Sequence, residues 1–218
     1  MPMFPLGSVL FPGAVLPLHV FEPRYRQLVQ DCLADESHEF GVVLIQRGSE
    51  VGGGDVRGQH GVVARMVQVA EMPDGRYAVI SVGTRRISVN AWLPDDPYPL
   101  ADVDDWPETT ARDNDADTWT APRIATLAQR VRRATALALE LGDHAGDPGF
   151  DLDDDVELAS FQLCAAVPLS THDGYRLLGA PSAPDRLTLL ESMLGDLEAV
   201  LEFRLHADGP SPEDLEER

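Results

Sequence analysis

Apolar residues in the first half of the chain come in short β-branched runs broken by Gly and Pro, whereas in the second half they step by three and four. The runs Phe40 to Gln46, Gly61 to Glu71 and Tyr77 to Trp92 predict strands of one sheet or barrel. Gly48 to Asp55 is a flexible hairpin loop by composition, and Met72-Pro73-Asp74-Gly75 supplies the next turn. Tyr98 to Val103 predicts a last strand. Upstream, Pro12-Gly13 predicts a turn between strands Val9-Leu10-Phe11 and Val15-Leu16, and Pro23 suits the first turn of a helix at about 23–35. Farther on, Ile124, Leu127, Val131, Ala134, Ala138 and Leu141 make one apolar stripe on a helix from Pro122 to Leu141. A short helix from Val156 to Val167 is closed by Pro168, and the last helix carries Leu187, Leu190, Leu194, Leu197, Leu201 and Leu205. Ser170 with Asp173, and Ser182 with Asp185, read as capping boxes.

The order of the punctuation is more specific than any residue in it. The series Pro5-Leu6, Phe11-Pro12-Gly13, Leu16-Pro17-Leu18 and Phe21-Glu22-Pro23-Arg24-Tyr25 resembles the start of the Lon N-terminal domain, the substrate-binding module of Lon proteases, which also occurs in free-standing form. Gly61 to Met66 and Val79 to Val89 look like that family's middle strands. Ser160 to Leu194, with Pro168-Leu169-Ser170 and Asp185-Arg186-Leu187, looks like its helical part. The resemblance implies an α+β fold, a PUA-like and mostly antiparallel β-barrel followed by a helical bundle. Composition and period divide the sequence into a barrel subdomain over 1–106, an acidic linker over 107–120, a bundle over 121–206 and a polar tail over 207–218.

Composition narrows the chemistry. All 17 basic residues are Arg and none is Lys, so neither a P-loop nor a Ser-Lys dyad nor a Schiff base can be built from these residues. A Lon protease works through its ATPase and its Ser-Lys peptidase, and the resemblance therefore implies a non-catalytic chain. Cys32 and Cys164 are far apart with no metal-like spacing, which fits a reducing cytoplasm. The apolar amino terminus is interrupted by Pro12, Pro17 and His19, so neither a signal peptide nor a membrane span is expected.

Other constellations fail on inspection. Asp113, Asp115 and Asp117, and likewise Asp151, Asp153 and Asp155, have the alternate spacing of a calcium loop, but lack its turn glycine and its bidentate glutamate. They read as solvated carboxylates, with Asp154 or Asp155 capping the helix that starts at Val156. The six histidines form no pair at ligand spacing, Gly-x-Ser-x-Gly is absent, and Gly52 to Gly54 precede no helix. No metal and no cofactor is expected. Arg85-Arg86 lies on a strand, so one of the two points inward; Glu22 is the expected ion-pair partner of Arg86. Arg130, Arg132 and Arg133 are expected to pair within the molecule.

The function that the resemblance implies is the holding of polypeptide substrates, unfolded or carrying degradation signals, in company with a protease partner. Large groups near predicted strand ends or helix starts, Phe4, Phe11, Tyr25, Trp92, Tyr98 and Trp106, are the candidate contact residues, and the junction of barrel and bundle is the place to look for a groove.

 

RNA binding, known for PUA domains, is the alternative reading. It has weak support, since residues 1–94 hold eight Arg against nine Asp or Glu and the whole chain carries a formal charge of −20.

Overall fold

A tight turn sets the spine of the fold. Gly75 takes φ 77° and donates its N–H to the Met72 carbonyl at 2.8 Å, which folds two long strands, β4 (Val56–Glu71) and β5 (Tyr77–Leu93), against each other. The computed structural model describes residues 1–48, 56–109, 119–143 and 145–207. The remaining strands are β1 (Met3–Leu6), β2 (Val15–Val20), β3 (Glu39–Arg47) and β6 (Leu100–Asp105), with helix α1 (Pro23–Ala34) between β2 and β3. The sheet runs β1-β3-β4-β5-β2, β1 lying parallel to β3 and the other neighbours antiparallel. β2 takes the first half of β5 and β6 the second half. The barrel closes where Met3 N–H donates to the Pro99 carbonyl (2.9 Å) and Ala101 N–H to the Met1 carbonyl (3.1 Å), beside a bridge from Pro2 to Leu100. The expected α+β architecture is therefore present, with four further helices after the barrel: α2 (Ala121–Glu140), α3 (Val156–Ala166), α4 (Thr171–Leu178) and α5 (Ala183–Ala207).

A bulge decides which arginine turns inward. Val63 lies opposite Arg85 and Ala64 opposite Gly83, so Thr84 has no counterpart and the in-out alternation of β5 reverses there. Val79, before the bulge, belongs to the core between the sheet, α1 and the bundle; Ile87 and Val89, after it, fill the barrel with Met3, Val43, Val63 and Ala101. Arg86 is consequently delivered to the bundle side, 4% exposed. The larger core runs without a break from α1 (Tyr25, Leu28) through the sheet (Phe40, Val62) to Phe161, Leu177 and Leu190 of the helices. Burial of that continuous apolar surface is the main term holding bundle to barrel.

Two expectations need correction here. Val9 to Phe11 is not a strand: the first strand is β1, because its place beside β3 is set by the pairs Met3 with Gly41 and Leu6 with Leu44. The segment after it crosses toward the helices, where Phe11 is buried. Glu22 does not pair with Arg86 either. Glu22 stands just before α1 and accepts from its near neighbour Arg24 at 3.0 Å, while Arg86 reaches Glu108 at 2.9 Å.

The helix ends follow local chemistry. Asp155 caps α3 by accepting from Leu158 N–H (2.9 Å), and Asp153 accepts from Asp155 N–H. Ser170 and Ser182 accept from the N–H groups of Asp173 and Asp185 and donate back to their carboxylates, completing both capping boxes. Arg123 and Arg130 of α2 pair with Glu191 and Glu198 of α5 at 2.8 and 2.7 Å, so their charge is answered by the last helix. Asp113, Asp115, Asp117 and the Gly52 to Gly54 run lie outside the described residues. No helix among the described residues is long and apolar enough to cross a membrane.

Candidate functional site

Barrel and bundle meet along two unlike seams. The first is polar and buried. Arg86 on β5 donates from Nη1 to the carbonyls of Leu178 (2.9 Å) and Ala180 (2.5 Å), just past the end of α4. Arg186 on α5, wholly buried, donates to Ser160 Oγ and to Glu108 Oε1, so one carboxylate faces two guanidinium groups. Aromatic rings enclose the pair: Arg186 Cζ lies 3.5 Å from the centre of the Phe161 ring, and Arg86 Cζ lies 4.7 Å from that of Trp106. Glu157 stands at the rim of this seam, its carboxyl pushed up by burial and by Glu108. Beside it His60 stacks on Tyr175 at 3.9 Å, and the Tyr175 hydroxyl accepts from Gln59 N–H at 3.0 Å. Together these contacts fix the angle at which bundle meets barrel.

His60 makes that seam sensitive to acid. Burial, and secondarily the nearby Arg86, lowers its pKa from the usual 6.5, although its bond to the Tyr175 carbonyl pulls the other way. The unfolded chain therefore takes up the proton first, and stability present above the ordinary histidine pKa is lost as pH falls through it toward the folded value. Melting temperature is expected to drop between about pH 7.5 and about pH 5.5, and His60→Phe, which keeps a stacking ring without a titrating one, should shrink that drop. An unchanged pH response in the variant would rule out His60 as its source.

The second seam is an open apolar groove. One wall is Pro12 to Leu16, running from the Pro12-Gly13 turn into the edge strand β2. Gly13 takes φ 80°, and its N–H donates to the Gly83 carbonyl at 2.8 Å; Gly83 passes so close under the Phe11 carbonyl that a Cβ there would collide with it. The opposite wall is Cys164 to Val167 of α3 and its end, with Leu169 to Thr171 and Gly174 beyond. The groove has two lobes, of about 360 and about 530 Å³, which share Ala14, Val15 and Ala165. Val15 stands between them, 62% exposed. Burial pushes the Cys164 thiol up to about 12, so this cysteine serves as apolar lining and not as a nucleophile.

The candidate contact residues do not converge. Phe11 lines the groove, although it is itself nearly buried. Tyr25 stacks on Phe4 at 4.2 Å in a separate hollow between β1 and β2. Tyr98 is buried and donates its hydroxyl to Asp31 at 2.7 Å. Trp92 lies under Arg57 at 4.7 Å, packed against the barrel interior, and Trp106 belongs to the polar seam. The groove walls are instead made of Ala14, Val15, Leu16, Ala165 and Val167, which carry no chemistry that a sequence motif could flag. Their one signal is smallness, Gly13-Ala14 and Ala165-Ala166, which leaves room where larger side chains would close the junction.

The profile of the ATP-dependent protease La (LON) substrate-binding domain matches residues 1–196. Lon protease 2 of Sorangium cellulosum (strain So ce56) is 31% identical over 212 residues, 93% of this chain and 25% of that protein. Lon protease 2 of Herpetosiphon aurantiacus is 25% identical over 209 residues, again 25% of its length. The chain thus spans about a quarter of these relatives. Among solved structures, the Lon N-terminal domain protein from Xanthomonas campestris superposes with a TM-score of 0.63 at 28% identity, covering 88% of this chain and 96% of that one. The N-terminal domain of the Mycobacterium avium complex Lon protease, at 22% identity and a TM-score of 0.57, shares the fold over 89% of this chain and 97% of its own.

Proposed function

The chain belongs to the Lon substrate-binding domain family, and from that premise we propose that it is a non-catalytic module that holds unfolded or degradation-tagged polypeptide in the groove between barrel and bundle. The observation that carries this reading is Val15, an aliphatic side chain left in solvent at the centre of an apolar channel. Exposed apolar surface of this kind, with concave walls on both sides, suits an extended chain that offers small aliphatic residues. The polar seam supports the same reading, since its buried arginines hold the two walls at a fixed separation before any polypeptide arrives, which lowers the ordering cost of binding. The relatives named above are proteases, and a separate protease is the natural receiver of what this module holds.

Val15→Glu tests the groove directly. Val15 is exposed, so the substitution should leave the melting temperature nearly unchanged, while placing a charge where apolar residues must dock. Capture of fluorescent unfolded casein is expected to weaken by about tenfold or more, equivalent to about 1.4 kcal/mol. Undiminished capture by the folded variant would move the binding surface elsewhere.

A further inference from the structure

The groove is apolar along its floor but not neutral at its mouth. Asp147 and Asp151 line the larger lobe beside Phe150, and no Arg or His lines either lobe. Arginines answer many carboxylates in this protein: Glu191, Glu198, Asp143, Asp173 and Glu39 all have one within 4 Å. Asp147 and Asp151 have none among the described residues, Asp147 accepting only the Gly149 N–H at 2.7 Å. Arg132 of α2 reaches this loop at Phe150, donating to its carbonyl at 3.0 Å and lying 4.8 Å from its ring centre, and makes no ion pair with either carboxylate among the described residues. Two unanswered carboxylates at the open end of an apolar channel make an electrostatic complement for a cation.

We propose that the groove selects segments in which a short aliphatic stretch is followed, within a few residues, by Lys or Arg: the aliphatic part lies over Val15, and the cation reaches Asp147 and Asp151. This preference rests on the polypeptide reading above and narrows it to a class of sequence. The charges are exposed, so the expected discrimination is modest, set by pairs of ordinary surface strength.

Three labelled peptides with one aliphatic core and an Arg, Ser or Glu flank measure it by fluorescence anisotropy. The Arg-flanked peptide should bind about fivefold more tightly than the Ser-flanked one, and the Glu-flanked peptide less tightly than either. The gap should close near about 1 M salt. Asp147→Asn with Asp151→Asn should abolish the gap without changing the Ser-flanked affinity. Asp102→Asn with Asp104→Asn, the same change of net charge on β6, should preserve it. Equal affinities for the three peptides, a gap that outlives the groove substitutions, or a gap lost in the β6 control would each overturn the preference while leaving the apolar groove standing. Failure of all three peptides to bind would overturn the groove itself.

Discussion

Replacing Arg86 with methionine is expected to destabilise the protein by about 3–5 kcal/mol in denaturant unfolding, the cost of removing one partner from a buried ionic network. The reasons are local. Arg86 is 4% exposed, and its removal leaves the Leu178 and Ala180 carbonyls without their guanidinium donor. It also leaves Glu108 with Arg186 alone. Methionine restores much of the stem's volume, so the loss reports the polar seam and not a cavity. Arg86→Lys should recover only part of it, because an ammonium cannot reproduce the fork that spans two carbonyls and a carboxylate. Glu22→Gln supplies the contrast. Its pair with Arg24 is local, partly buried and outside the seam, and the change should cost about 1 kcal/mol. An Arg86 variant as stable as the parent would mean that the bundle is held by apolar packing alone.

Phe161→Ala should cost a similar amount, about 3–5 kcal/mol, by opening a cavity at the centre of the molecule. The ring is 1% exposed and does two jobs: it joins the core that contains Phe11, 6.4 Å away between centroids, and it forms the face over which Arg186 lies. These jobs can be separated by a double-mutant cycle with Arg186→Met. If the stacking contributes as a desolvated cation–π contact should, the double variant will fall short of additivity by about 1–2 kcal/mol. Strict additivity would assign the whole effect of Phe161 to packing.

How far the sequence spoke depended on the kind of signal. Periodicity found the long elements: the stripe from Ile124 to Ala138 is buried along α2, and the β-branched runs became β3, β4 and β5. Local chemistry found the caps, since Asp155, Ser170 and Ser182 act on residues three positions away. Signals failed when the partner was distant in sequence or the feature was an absence. Arg86 could be read as inward-pointing, but its partner Glu108 sits in an acidic stretch whose charge concealed the one carboxylate that turns inside. Val9 to Phe11 has strand composition, yet the partner that its hairpin needed, Val15-Leu16, pairs instead with Val82 and Ser81 of β5. Large aromatic residues are conspicuous in a sequence, whereas a groove lies where side chains are small. Ala14 and Ala165 shape it by what they leave out.

The groove's walls lie far apart along the chain, Pro12 to Leu16 on one side and Cys164 to Gly174 on the other. A chain still emerging from the ribosome has the first wall long before it has the second. During synthesis, then, there is no channel in which its own unfinished β-strands, rich in aliphatic residues, could lodge. The groove itself forms only when the helices have docked, by which time every strand of the sheet has been synthesised.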